Sequence, residues 1–283
     1  MEIIDKLSTG NYDFNIKTTT CQGDATRIAA EYGGDYDTII CVGGDGTLNE
    51  TVNGIMQLDK RVPIGYVPSG STNDLATTLG IPLEAGAASD MILEGNTNSY
   101  DVGKINDRYF NYVACFGVAT DIPYATTQKS KNMLGKSAYF INGFVIRIGD
   151  MLKNFKPSHV KVEYDDGEFE DDVYFLSLSN ATNVAAGLIK VPDVKLNDGI
   201  FELCVVRGLK KNKEALELIP KVMKRDFTDP RLMLVKTKHV KITSDKEIAW
   251  DVDGEFGGNI KNAELSVVHN AFDIYSDNDV LFI

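Results

Sequence analysis

Short apolar runs alternate with amphipathic segments in the first part of the chain. Apolar runs bounded by turn residues predict buried strands, whereas apolar residues spaced three and four apart predict helices. The predicted strands are Phe14–Thr19, Thr38–Val42 and Pro63–Val67. The predicted helices are Asp24–Tyr32, Thr47–Met56, Asn73–Leu79 and Ala85–Leu93. This alternation predicts a mostly parallel sheet with helices on both of its faces.

The pattern changes near residue 97, where β-branched and aromatic residues become frequent. The runs that predict strands are Tyr109–Phe116, Val173–Ser179, Phe201–Val206, Val235–Thr243 and Leu265–Val268. The stretches that predict helices are Leu134–Leu152 and Lys213–Arg225. We therefore predict an α/β fold class, with a three-layer α/β domain over residues 1–96 and an antiparallel β-sandwich domain over residues 97–283. The pattern leaves open whether the C-terminal segment packs back on the first domain.

A glycine-rich turn, Gly43-Gly44-Asp45-Gly46-Thr47, joins the predicted strand Thr38–Val42 to a helix. Glycine allows the backbone to approach a ligand closely, and the free N–H groups of a helix N-terminus favour a phosphate. In an open α/β sheet, the carboxyl end of a strand is the expected ligand position. The carboxylate of Asp45 suits such a site if a divalent metal joins it to the phosphates. The alternative is that Asp45 only caps the helix.

A second loop, Pro68–Ala76, follows the next predicted strand. Because both loops follow parallel strands, we expect them to emerge at the same edge of the sheet. Ser71 and Thr72 offer hydroxyl donors there, and Asn73 and Asp74 open the next predicted helix. A plain helix cap is again the alternative for each loop taken alone.

Composition narrows the classes of partner. The formal net charge is -12, which argues against sequence-independent nucleic-acid binding because that function needs a basic surface. The four cysteines are scattered without metal-ligand spacing. No apolar stretch is long enough to span a bilayer, so we expect a cytoplasmic protein, and any lipid substrate would have to be met by transient contact at the inner membrane surface. The oligomeric state stays open, a homodimer included.

The two loops together resemble the diacylglycerol kinase catalytic-domain family, which includes bacterial lipid kinases and the sphingosine and ceramide kinases. The resemblance is carried by Gly43-Gly44-Asp45-Gly46-Thr47 followed by Gly70-Ser71-Thr72-Asn73-Asp74. It continues over nearly the whole chain, at Thr19 with Gly23-Asp24-Ala25, Asn111–Gly117, Pro192–Gly199 and Asp253-Gly254-Glu255. Ser71 stands where the family usually has threonine, and Ala186-Gly187 replaces a common glycine pair.

This resemblance implies an ATP- and Mg-dependent lipid kinase that phosphorylates a hydroxyl of diacylglycerol or a related lipid alcohol. In such an enzyme Glu255 would be the general base, and Asp45 would place the Mg bound to ATP. A structural Mg would be held by the backbone carbonyls of Lys195 and Ile200 and by the carboxylate of Asp198. The residues implied in binding ATP are Thr19, Gly44, Asp45, Gly46, Thr47, Leu48, Asn49, Glu50 and Ser71.

Three alternatives stay open. An NAD kinase shares the glycine-rich turn, a non-catalytic module would bind a nucleotide without turnover, and the turn at Asp253–Glu255 is also typical of a surface hairpin. The resemblance also implies an N-terminal strand and phosphate loop, whereas Met1–Leu7 has helical spacing. We therefore expect the missing strand to lie upstream, within roughly 25–40 further residues at typical element lengths.

Overall fold

The computed structural model describes residues 2–9, 13–71, 73–118, 148–181, 183–184, 189–190 and 194–277. The helices of these residues are α1 (Glu2–Thr9), α2 (Asp24–Tyr32), α3 (Asp45–Ile55), α4 (Asp74–Leu79), α5 (Ala85–Glu94) and α6 (Glu214–Met223). The strands are β1 (Ile39–Gly43), β2 (Ile64–Pro68), β3 (Thr97–Ile105), β4 (Arg108–Phe110), β5 (Val113–Gly117), β6 (Ser158–Tyr164), β7 (Gly167–Ser179), β8 (Asn183–Val184), β9 (Ile189–Lys190), β10 (Phe201–Arg207), β11 (Leu232–Thr237), β12 (His239–Val252) and β13 (Glu255–Tyr275).

The first part of the chain is a parallel sheet with helices on both faces, as predicted. Strands β1 and β2 pair in parallel. A side chain at Gly65 would point at Ile92 of α5, whereas Cys41 contacts Thr51 of α3. Gly65 is paired with Ile40, so these two residues face the same side of the sheet. Cys41 is the next residue after Ile40 and therefore faces the other side. Helices α5 and α3 thus cover opposite faces.

The 21-residue strand β13 joins the two parts of the chain. It pairs with β12 and β3 in antiparallel fashion and meets β2 in parallel at Ile274 and Ile64. The C-terminal segment therefore does pack on the α/β part, and one sheet runs through both. The division at residues 96 and 97 stays a prediction.

The second part of the chain is the predicted β-sandwich. Strands β5, β7, β10 and β11 form an antiparallel layer, and β6 connects β7 to β12. Aromatic pairs fill the core, with the rings of Phe116 and Trp250 4.9 Å apart and those of Phe110 and Phe201 5.8 Å apart. This core fixes the ends of β12 and β5, which carry one side of the candidate site.

One predicted strand is wrong. Phe14–Thr19 is irregular, and the side chains of Phe14 and Ile16 are 43% and 62% exposed. The segment has strand-like residues, but no strand of the described residues pairs with it, and an extended run becomes a sheet strand only with a backbone partner. The predicted helix Leu134–Leu152 lies outside the described residues up to residue 147, and residues 148–152 are helical.

Candidate active site

The two predicted ligand loops meet at the edge of the sheet. Gly43 and Pro68 are paired at the ends of β1 and β2, and the Ser69 N–H donates to the Gly43 carbonyl at 2.8 Å. A Cβ on Gly70 would lie 2.5 Å from the Cα of Gly44, so the loops pack backbone against backbone. Glycine at positions 44 and 70 is therefore a steric requirement, and the surface left at this edge is mainly main chain.

Asp45 ties the loops together. Its carboxylate accepts hydrogen bonds from the backbone N–H groups of Asp74, at 3.1 Å, and Leu75, at 3.4 Å. Asp45 therefore caps α4, whereas the alternative interpretation had it cap the helix that it begins, α3, which has no side-chain cap. The same loop is closed by Asn73, which adopts the left-handed conformation and accepts from the Gly70 N–H at 2.9 Å.

Several residues implied in ATP binding have side chains that contact other parts of the chain. Leu48 is fully buried, and Asn49 is buried and contacts Asp253. The Glu50 carboxylate accepts from the backbone N–H groups of Gly23 at 2.8 Å and Ala25 at 3.1 Å, at the start of α2. These side chains shape α3, so the backbone of residues 43–47 is the part of this motif that faces the edge of the sheet. Thr19 and Ser71 are exposed.

The Asp253-Gly254 turn is fixed to α3 and to the start of β5. Asp253 and Gly254 have φ angles of 52° and 82°, as a two-residue hairpin turn requires. The buried Asp253 carboxylate accepts from the backbone N–H groups of Asn111, Tyr112 and Val113 at 2.6–3.0 Å and from the side chain of Asn49 at 2.7 Å. The surface-hairpin alternative is thus wrong for Asp253, whose role sequence reasoning missed because an Asp-Gly turn usually lies in solvent.

Glu255 lies against the glycine-rich turn. Its Oε1 is 2.7 Å from the position that a Cβ on Gly46 would occupy, so only glycine at position 46 leaves room for this contact. The other oxygen, Oε2, is 3.5 Å from Nη2 of Arg108, and the side chain of Glu255 is 44% exposed. The structure therefore brings Glu255, Gly46 and Asp45 to one place, whereas Arg108 was missed because nothing in its sequence context singled it out.

Negative charge is concentrated at this turn. Asp251 accepts from the Gly254 N–H at 2.9 Å, and burial raises the pKa of its carboxyl from 3.8 to about 6. Burial likewise raises the pKa of Asp253 to about 6, against the opposing effect of its hydrogen bonds. Of these three carboxylates, Glu255 is the exposed one, so it is the one that could meet a cation or a hydroxyl group.

The implied structural Mg site is a separate turn. The Asp198 carboxylate accepts from the Ile200 N–H at 3.1 Å, and the fully buried Asp101 accepts from the Gly199 N–H at 2.6 Å. Glu202 is buried and has one carboxylate oxygen without a hydrogen-bond partner. Burial raises its pKa to about 8, and the nearby charge of Asp198 also raises it. Oxygen donors beside this partly unsatisfied carboxylate, whose other oxygen lies 3.9 Å from Nζ of Lys236, fit a hard cation.

That fit depends on carbonyl oxygens and water. Among the residues described, no three histidine, cysteine, aspartate or glutamate side chains are grouped so as to hold a metal ion. Lys195 and Ile200 would therefore have to contribute their backbone carbonyls, as the resemblance implies. In the same described ranges, no helix has the length and apolar character needed to cross a membrane.

Two family models match the chain. Residues 1–105 match the diacylglycerol kinase catalytic domain, and residues 123–275 match the YegS C-terminal NAD kinase beta sandwich-like domain. A solved structure of a putative diacylglycerol kinase from Bacillus anthracis is similar, with a TM-score of 0.77 and 27% identity over 98% of this chain and 90% of that one. An NAD kinase from Archaeoglobus fulgidus, solved with ATP, shares the fold alone, with a TM-score of 0.56 and 11% identity over 99% of this chain and 90% of that one.

Relatives of higher identity cover most of the chain. The diacylglycerol kinase of Bacillus subtilis is 36% identical over 262 residues, which are 91% of this chain and 84% of that protein. The diacylglycerol kinase of Staphylococcus saprophyticus is 35% identical over 283 residues, 99% of this chain and 90% of that protein. This similarity runs through both the glycine-rich turn and the hairpin that carries Glu255, so the chain belongs to the diacylglycerol kinase catalytic-domain family of lipid kinases.

Proposed function

We propose that this kinase transfers the γ-phosphoryl group of ATP to a hydroxyl of diacylglycerol or a closely related lipid alcohol. The observation that carries the proposal is the contact of Glu255 with Gly46. It sets a carboxylate against a turn whose main chain is suited to phosphate, so an acceptor hydroxyl beside this contact would have a base and a phosphoryl donor within reach.

The reaction is a direct transfer. The hydroxyl proton passes to Glu255, the hydroxyl oxygen bonds to the γ-phosphorus, and the bond from that phosphorus to the bridging oxygen breaks to release ADP. The backbone of residues 43–47 and the exposed Ser71 would orient the phosphates, and Asp45 would hold this loop on α4. One Mg, placed by Asp45, would neutralise charge on the phosphates of ATP. A second, structural Mg would be held by Asp198, Lys195 and Ile200.

A lipid acceptor is favoured over NAD by the relatives. Those named diacylglycerol kinase are 35–37% identical to this chain, whereas the NAD kinase structure is 11% identical and supports the shared fold only. The enzyme would meet its acceptor at a lipid–water interface, because the acyl chains of such alcohols remain in a bilayer.

The decisive experiment compares acceptors with labelled ATP and Mg. Diolein, monoolein, phosphatidylglycerol and sphingosine would be presented in mixed micelles, and NAD in buffer. We expect phosphate transfer to diolein or another of the lipid alcohols, and none to NAD. Transfer to NAD alone would identify an NAD kinase, and ATP binding without transfer to any acceptor would identify a non-catalytic module.

A further inference from the structure

Arg108 connects the candidate base to the backbone of its own turn. Its Nη1 donates to the carbonyl of Phe256 at 3.2 Å, while its Nη2 lies 3.5 Å from Oε2 of Glu255. The planar guanidinium can make both contacts at once, which the single ammonium of lysine cannot do with the same geometry. One side chain therefore contacts both the glutamate and the carbonyl of the next residue.

The backbone beside Arg108 is fixed to the helix of the glycine-rich turn. The Tyr109 N–H donates to the side chain of Asn53 at 3.0 Å, and the Asn53 amide donates back to the Tyr109 carbonyl at 3.1 Å. Asn49 adds a third contact, to the same carbonyl, at 3.3 Å. Since both asparagines lie on α3, the position of Arg108 is set by the helix that begins at Asp45.

The two halves of the turn have different anchors. Asp253 holds the first half through its buried carboxylate. The second half has no buried carboxylate. It pairs with β12 across an irregular register, Phe256 is 68% exposed, and two glycines follow, the second with a φ of 102°. Within the described residues, Arg108 is the cationic side chain that contacts this second half.

The contact with Arg108 also gives the two carboxylate oxygens of Glu255 different neighbours. Oε2 faces Arg108, and Oε1 therefore points at Gly46 of the glycine-rich turn. A glutamate without this partner would sample several rotamers, since its side chain is partly exposed and flexible. A half-exposed ion pair at 3.5 Å contributes little to folding stability. Its main effect is therefore to orient the Glu255 side chain.

We propose that Arg108 is a positioning residue that holds Glu255 in the geometry required for proton abstraction. The proposal rests on the proposed function, because it assigns a role within the same phosphoryl transfer. Small displacements of a catalytic group lower rates by up to about 100-fold. Arg108 should therefore act on the rate of transfer and not on ATP affinity.

The kinetic test uses Arg108→Gln and Arg108→Lys, with Lys161→Gln as the control, because Lys161 pairs with Glu163 and Glu168 on a distant hairpin. We expect Arg108→Gln to lower kcat about 10- to 100-fold, with KM for ATP changed less than about 2-fold.

Arg108→Lys should retain an intermediate rate, and added guanidinium should partly restore the activity of Arg108→Gln. In a Glu255→Gln background, Arg108→Gln should cause little further loss, because both changes act through one group.

A second readout does not need turnover. Hydrogen exchange measured by mass spectrometry should be faster over residues 253–258 in Arg108→Gln and unchanged there in Lys161→Gln. Unchanged exchange with an unchanged kcat would overturn the proposal, as would fully additive losses in the double variant. If the wild-type chain phosphorylates no acceptor, the proposed function fails on its own, and the exchange result still decides whether Arg108 holds the turn.

Discussion

Asp253 and Glu255 are two residues apart on one hairpin and have opposite environments. Asp253 is buried and saturated by four hydrogen bonds, three of them from backbone N–H groups. Glu255 is half-exposed, and its Oε1 contacts a glycine of the facing loop. A buried, saturated carboxylate cannot easily exchange protons with a substrate, whereas an accessible one can. The hairpin thus carries one carboxylate that holds the turn and one that stays accessible.

Glu255→Gln tests the base. The amide keeps the size of the side chain but cannot accept the proton, so kcat should fall about 100-fold or more while ATP affinity is retained. Turnover in mixed micelles and nucleotide titration give the two quantities. Near-normal turnover would remove Glu255 from the mechanism.

Asp251 predicts a pH dependence of stability. Its pKa is raised by burial from 3.8 to about 6 in the folded chain, so the folded state binds the proton more tightly. The stabilisation is fully present below pH 4 and is lost as pH rises through about 6, by up to about 3 kcal/mol. Asp251→Asn can keep the hydrogen bond from Gly254 and removes the titration. In urea unfolding, the variant should gain stability relative to wild type at pH 7.5 but not at pH 4. An equal difference at both values would contradict this.

At the residue scale, sequence reasoning located motifs better than it assigned individual side chains. The glycine-rich turn and the Asp253–Glu255 turn do meet, at Gly46 and Glu255. The contacts of Asn49 and Glu50 could not be predicted, since their partners Asp253 and Gly23 are remote in sequence. The same holds for Arg108. A hydrogen bond across the fold leaves no local pattern.

At the scale of elements, the contact between the two ligand loops makes a steric prediction. A methyl group on residue 70 would lie 2.5 Å from the backbone of Gly44, which cannot move as a side-chain end can. Gly70→Ala should therefore separate the loops and weaken ATP binding at least about 10-fold, with a smaller loss of stability. Gly34→Ala is the matched control, because its new methyl group would have no neighbour closer than 3.9 Å. Equal ATP affinities for the two variants would show that the loop contact does not shape the site.

The turn at Lys195–Ile200 predicts a response to Mg. If Asp198 and two carbonyls hold an ion, Mg should raise the Tm of the wild-type chain by binding to the folded state. Asp198→Asn should abolish most of that rise, whereas Asp166→Asn, at another Asp-Gly turn, should not. A Tm that rises equally in all three proteins would place the Mg effect elsewhere.

Element prediction succeeded where local signals agree with the environment. Asp24–Tyr32 has the same bounds in sequence and structure, since its helical spacing matches its packing on α3. Phe14–Thr19 failed for a non-local reason, because strand composition cannot supply the neighbouring backbone that a strand needs. The run Tyr109–Phe116 is divided into β4 and β5 at Asn111 and Tyr112, whose N–H groups bind Asp253 and not a sheet partner.

At the scale of the whole molecule, β13 is the common element. It begins at Glu255 in the candidate site, crosses the sandwich beside β12 and ends beside β2 in the α/β part. Glu255 therefore lies at one end of β13, and the other end of that strand pairs with β2, which leads into the second ligand loop. A change in the packing of either part would alter the contact between Glu255 and Gly46.

This connection predicts cooperative unfolding. Trp250 is buried in the sandwich and is the single tryptophan of the chain, so its fluorescence reports on the second part. Helices α1 to α5 lie in the first part and contribute strongly to the circular dichroism at 222 nm. Because β13 pairs with strands of both parts, neither can lose its sheet without exposing backbone groups of the other. The two signals should therefore change at the same urea concentration.

A variant can break the connection selectively. Ile274 is fully buried where β13 meets β2, so Ile274→Ala should cost about 2–5 kcal/mol and act first on the α/β part. The circular dichroism transition should then move to lower urea than the Trp250 transition. Thr243→Ala, at an exposed position of β12, is the control for the method and should leave the transitions coincident. Separate transitions in the wild-type chain would mean that β13 does not couple the two parts, and the contact between Glu255 and Gly46 would then depend on local anchors such as Asp253 alone.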